Sequence, residues 1–260
     1  MSLFEDKLLQ RPKFEFGTKA QTLTKLKSLV KSSIIGEVYY FEVDIWRKCK
    51  HEIIQKIGEI FGPSMLAIRS SAVSEDSSEH SMAGEFTSIL NVDGTQRSVL
   101  ASAINEVVNS MTGNSHDQIL VQHMLQQVAV SGVITTHVLG DGAPYYVLNY
   151  DDESGRTDTV TGGLGVNKTV MIHHSVAGKF VESTRVVNWL DMARELFAIC
   201  DGLPLDIEFL TSCSVGSPTI SIGSPTVPVI FALILMTEKS LASQIEIVFG
   251  NMSVELSIKG

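Results

Sequence analysis

Cysteine is scarce in this chain: Cys49, Cys200 and Cys213 are its only three in 260 residues. Their odd number and wide spacing exclude a disulfide framework and a zinc cluster. Positive charge is also short, with 20 Lys and Arg against 29 Asp and Glu and a net charge of −9. Without a basic run, a surface for nucleic acid or anionic membrane is excluded, and any anion must be met by local cations. Long hydrophobic runs are missing too: residues 229–236 form the longest, far short of the roughly 20 that span a bilayer. The opening MSLFEDKLLQRPKF has no apolar signal-peptide region, so a cytoplasmic protein is expected. What remains is 44% hydrophobic residues, enough for a sizeable core in one large domain or two small ones.

Residues 67–92, AIRSSAVSEDSSEHSMAGEFTSILNV, form the most unusual stretch. A short strand delivers Arg69, and hydrophobic periodicity then disappears until a second strand begins at Phe86. Ordering so long a polar segment is costly in chain entropy unless something binds there. Arg69 is a five-donor fork suited to phosphate oxygens, and Ser70 and its neighbours add hydroxyls. Gly84 lets backbone pass close to a ligand. Phosphate binding and a disordered surface loop both fit these residues.

Around this stretch the pattern alternates between the two basic periods. Gly17-Thr18-Lys19-Ala20 leads into a helix with Leu23, Leu26 and Leu29/Val30 on one face. Residues 36–43 read as a strand, followed by a helix capped by Asp44 with a stripe of Ile45, Cys49, Ile53, Ile57 and Ile60/Phe61. A third helix after Asp93-Gly94 turns Val99, Ala103, Val107 and Met111 inward. Residues 118–124 form a strand, and 131–136 start a hairpin that returns along 145–150. Asp151-Asp152-Glu153 is read as an acidic turn, with a metal role as the rival. Residues 162–169, GGLGVNKT, nearly spell a P-loop, but Asn167 replaces the second required glycine and a strand follows. His173 and His174 are adjacent on a strand and point to opposite faces, so they cannot share an ion. His137 has no evident partner. Residues 186–200 make an amphipathic helix with Val187, Leu190, Ala193/Arg194, Leu196/Phe197 and Cys200 on the core side, and Gly202 after its end. In the following strand, Asp206 and Glu208 share a face. That spacing fits joint work at a hydrated Mg2+ and equally a half-exposed strand edge.

Arg69-Ser70-Ser71-Ala72, Glu75-Asp76, Ser81-Met82-Ala83-Gly84-Glu85-Phe86 and Leu90-Asn91-Val92, in that order, resemble the N-terminal nucleotide-binding domain of phosphoenolpyruvate synthase and pyruvate phosphate dikinase. The resemblance runs from about Gly17 to Phe209. It implies an α+β, ATP-grasp-like fold with two α/β lobes, ATP and Mg2+ as cofactors, and phosphate transfer from ATP to a histidine on a separate, swivelling domain. The expected partners are that histidine domain and a phosphoenolpyruvate- or pyruvate-binding domain, in the same or another chain. By this resemblance Lys19 and Arg69 contact the ATP phosphates as catalytic residues, although Thr18 stands where the family usually has glycine. Ser70, Gly84, Gln122, Gly163 and Gly165 help hold the nucleotide, with Gln122 beside the adenine on a hinge strand. Glu208 binds Mg2+ together with Asp206.

The expected organisation is an arm over 1–16, a first lobe over 17–117, a second lobe over 118–210 and a divergent β-rich tail over 211–260. The family continues past its Asp-Ile-Glu strand with a Leu-Gln-x-Arg-Pro block, whereas 210–260 contains no arginine. The expectation is therefore an ATP-dependent phosphotransferase domain, incomplete or weakly active on its own. Two rivals stand beside it: an ATP-grasp ligase that activates a carboxylate, and a non-catalytic nucleotide-binding module.

Overall fold

The structure is a computed structural model that describes residues 14–72, 87–111, 114–156, 168–176, 181–212 and 228–235, with backbone alone for 231–235. Two antiparallel sheets organise it. The first contains β1 (Val38–Glu42), β2 (Met65–Ser71), β3 (Ser88–Asp93) and β4 (Gln118–His123) in the order β1-β4-β2-β3. The second contains β5 (Val128–Thr135), β6 (Tyr145–Asp151), β7 (Lys168–His173), β8 (Leu205–Ser212) and β9 (Val229–Leu235) in the order β7-β6-β5-β8-β9. With the helices packed on them, the fold is α+β, as the resemblance implies.

Strand alternation explains how each sheet buries its faces. In the first, Ile68, Ile119 and Val121 point one way, into a core with α3 (Lys50–Phe61) and α4 (Arg97–Ser110). Ile53, Ile57, Leu100 and Ile104 supply the helical side of that core. In the second, Ile207 and Phe209 of β8 pack with Trp189 and Leu190 of α5 (Thr184–Ile199). α1 (Lys19–Leu26) contributes Leu23 and Leu26 to the same core, together with Leu120 from β4.

The strand over Gln118–His123 was expected in the second lobe. Its backbone pairs with β1 on one side and β2 on the other, so it is an inner strand of the first sheet. The helix expected after β1 is also interrupted. α2 (Val43–Lys48) ends at Cys49, whose φ −130°, ψ 42° breaks the turn before α3 begins. That break rotates the apolar stripe: Ile45 is 45% exposed and Trp46 is buried in its place. On α4 the inward residue is Leu100, with Val99 exposed, and on α5 Val186 and Trp189 take the core positions. Gly202 does end α5, with φ +74° and its N–H donated to the Phe197 carbonyl. Cys200 is buried, and that burial, then the Asp201 charge, pushes its thiol up to about 12. It behaves as core.

A third set of contacts ties the segment after α1 to the second lobe. Glu195 of α5 accepts the backbone N–H groups of Lys31 and Ser32 at 2.9–3.0 Å, together with the Ser32 hydroxyl. Ile34 forms a parallel bridge to Val229 at the start of β9.

Candidate functional site

Arg69 lies on β2 opposite Leu120 of β4 and Ser88 of β3. Directly paired residues in an antiparallel ladder share a face. Ser71 pairs with Gln118 and Ala67 with Gln122, so Arg69, Ser71, Gln118, Leu120 and Gln122 all project from the face opposite α3 and α4. Gln122 thus shares Arg69's face and is buried. Ser70 does not. It pairs with Ile119, and the period-2 pleat sends it to the helix-covered face, away from the Arg69 guanidinium.

On the second sheet, β8 runs between β5 and β9, with Glu208 beside Val133 and Ala232, and Asp206 beside Thr135 and Ile234. Ile207 and Phe209 take the α5 side, which leaves both acids on the other face. The two sheets meet there. Arg69 Nη1 donates to Glu208 Oε2 at 3.0 Å, with both side chains largely withdrawn from solvent.

Lys19 joins this group from the first turn of α1. Its positive charge is felt at the Asp206 carboxyl, where it acts against two stronger effects. Burial, then the neighbouring Glu208 charge, pushes Asp206 up to about 7. Asp206 Oδ1 is out of solvent contact and has no hydrogen-bond partner. A buried orphan acceptor beside a second carboxylate fits a cation with oxygen preference. Two cations and two acids are therefore gathered where the sheets converge, with the acids able to hold a divalent metal and the cations able to hold phosphate.

The rival sites resolve differently. β7 begins at Lys168 itself, so no helix follows the glycine-rich segment as a P-loop requires. Lys168 Nζ contacts Asp152 at 2.6 Å and Glu153 at 3.2 Å, and Asp152 also meets Arg185 at 3.2 Å. Hydrogen bonding to Asp152 is the largest cause holding the Lys168 pKa above its ordinary value. Asp151 caps its own turn, accepting the N–H groups of Glu153 and Ser154. These acids serve a turn and ion pairs. Among the described residues, no group of three or more His, Cys, Asp or Glu gathers to hold a metal. His173 meets Tyr145 edge-on, while His174 lies tilted against Tyr146 and meets His137 edge-on, as opposite faces dictate. His137 does have partners, the His174 ring and the Thr136 hydroxyl. Gly84, Gly163 and Gly165 lie outside the described residues.

One residue of this neighbourhood, Gln118, was not singled out from the sequence, and Ser71 was read only as a hydroxyl for phosphate. Both are buried on the Arg69 face and bond to the turn that carries Lys19. For Gln118 the available signal was its even spacing from Gln122 on a strand.

The pattern of the pyruvate phosphate dikinase AMP/ATP-binding domain matches residues 18–173. That span contains Lys19, Arg69 and Gln122, with Asp206 and Glu208 beyond it. No curated protein sequence matches the chain. Among solved structures, D-alanyl-alanine synthetase A from Vibrio cholerae is 13% identical, with a TM-score of 0.45 over 90% of this chain and 60% of that one. The D-alanine-D-alanine ligase from Coxiella burnetii is 10% identical, with a TM-score of 0.43 over 89% of this chain and 51% of that one. This chain thus spans less than two thirds of either ligase. ACD1 from Ca. Korarchaeum cryptofilum, in complex with coenzyme A, is 12% identical, with a TM-score of 0.47 over 90% of this chain and 98% of that one. Among the described residues no helix is long and apolar enough to cross a membrane.

Proposed function

The chain belongs to the pyruvate phosphate dikinase AMP/ATP-binding domain family, and from that premise we propose that it binds Mg-ATP and passes phosphate to a histidine on a separate domain. The observation that carries this reading is the convergence of Arg69 with Glu208, and of Lys19 with Asp206, from two different sheets. Phosphoryl transfer asks a protein mainly for positioning and charge neutralisation. Lys19 and Arg69 supply fixed positive charge for the phosphate oxygens, and Arg69 offers a two-pronged donor. Asp206 and Glu208 would hold Mg2+, which when bound neutralises charge on the phosphate chain. Gln122, on the same sheet face as Arg69, would line the nucleotide side of the site.

Arg69 engages one Glu208 oxygen, Oε2. Nucleotide binding on this reading draws Arg69 toward phosphate and leaves Glu208 to the cation. Isothermal calorimetry with ATP and Mg2+ tests the binding half: saturable binding of Mg-ATP by the chain is expected, and its absence refutes the reading.

A second reading, nucleotide binding without transfer, is favoured by β9. The family's arginine-bearing block is expected after the acid strand, yet β9 is VIFALIL. Losing one charge-stabilising contact in a transition state typically costs about 10²–10³ in rate. Incubation with γ-labelled ATP and a histidine-bearing partner domain separates the two. Label on the histidine supports phosphotransfer, and tight binding with no transferred label supports the binding module.

A further inference from the structure

The turn that carries Lys19 is fastened to the first sheet by buried side chains. Thr18 caps α1 in a reciprocal box: its Oγ1 accepts the Gln21 N–H, and Gln21 Oε1 accepts the Thr18 N–H. The same hydroxyl donates to Gln118 Oε1 at 2.6 Å, from a residue 100 positions away. On the other side of Lys19, the Ala20 N–H donates to Ser71 Oγ at 3.0 Å. Thr18, Gln118 and Ser71 are 7%, 5% and 0% exposed, so water competes poorly for these bonds.

Ser71 stands two residues from Arg69 on β2, and Gln118 two residues from Arg69's partner Leu120 on β4. Both are on Arg69's face. The backbone on each side of Lys19 is therefore referenced to the rigid sheet that presents Arg69. Glycine at position 18 could not donate to Gln118, so Thr18 and Gln118 form a matched pair.

We propose that Gln118 and Ser71 are positioning residues for Lys19, holding its turn at a fixed distance from Arg69 so that both cations address one phosphate chain. The inference rests on the Mg-ATP reading for its purpose, while the positioning relation can be measured without nucleotide.

The first measurement is acetylation of Lys19 by an N-hydroxysuccinimide ester, read by peptide mass spectrometry against exposed Lys56 in the same chain. Releasing the turn takes Lys19 from its place near Asp206. Thr18→Val and Gln118→Leu should each raise Lys19 labelling about threefold with Lys56 unchanged, and Thr18→Ser should restore the parent value. Unchanged Lys19 labelling in both variants overturns the proposal. The second measurement is Mg-ATP affinity. Gln118→Leu should weaken it about fivefold in the parent chain and have no further effect in Lys19→Ala. An undiminished effect in Lys19→Ala means a general structural role and also overturns the proposal. If the parent chain binds no ATP while Lys19 labelling still responds, the positioning relation is supported and the nucleotide reading alone fails.

Discussion

Arg69 and Glu208 are 139 residues apart in the chain and 3.0 Å apart in space, each carried by an inner strand of a different sheet. The pair joins the cation proposed to meet phosphate directly to an acid proposed to hold the metal. Truncating Arg69 removes a fork that phosphate would use and leaves Glu208 with less compensation. Arg69→Ala is expected to weaken Mg-ATP binding at least tenfold, about 1.4 kcal/mol by calorimetry. Unchanged affinity in both Arg69→Ala and Lys19→Ala refutes the proposed site.

Lys168 gives the contrasting case. Its ammonium is already met by Asp152 and Glu153 at the base of the second sheet. Lys168→Ala should therefore lower nucleotide affinity less than Arg69→Ala does, in the same titration. The reverse order would make the glycine-rich segment the main phosphate cradle.

Glu195 makes stability depend on pH. Burial acts to raise its pKa, but hydrogen bonds from the Ser32 hydroxyl, the Ser32 N–H and the Lys31 N–H, with the Lys31 charge, bring it below the ordinary value of 4.5. A folded pKa below the unfolded one stabilises above the unfolded value, and that share is lost as pH falls through the folded pKa. Glu195→Gln should be less stable than the parent at pH 7, and the two denaturant midpoints should converge as pH drops below the carboxylate range. A gap that widens on acidification contradicts this assignment.

Gly132 tests the packing under the acid strand. A Cβ there would sit 2.6 and 2.7 Å from two ring carbons of Phe209, which also stacks on Trp189. Gly132→Ala must push that ring out of a filled core. A loss of about 1–3 kcal/mol in urea unfolding is expected, with a change in Trp189 fluorescence. An unchanged midpoint would show that Phe209 has room to move.

Much of this arrangement is legible in one dimension. The alternation of Asp206 and Glu208 placed them on one face, and the breakdown of periodicity after Arg69 marked the end of β2. What could not be read was anything set by distant partners. The Thr18–Gln118 bond depends on how α1 docks across β4, and neither residue signals the other locally. Ser70 was grouped with Arg69 because they are adjacent, yet adjacency on a strand means opposite faces. The break at Cys49 had no proline or glycine to announce it, so one continuous stripe was read where two short helices turn different sides inward. His137 gained the His174 ring from just past the end of β7, a contact that tertiary packing alone decides.

β9 brings a consequence for how the molecule behaves among its own copies. Its ladder covers the side of β8 that β5 leaves open, from Leu205 to Leu210. Without it, the strand bearing both acids would present a row of unpaired amides and carbonyls, a template for any passing extended chain. This segment, past the end of the family match, thus takes the acid strand off the sheet's edge and meets its amides and carbonyls within the chain. Shortening the chain before residue 229 should increase self-association through β8, read as light scattering against the parent chain.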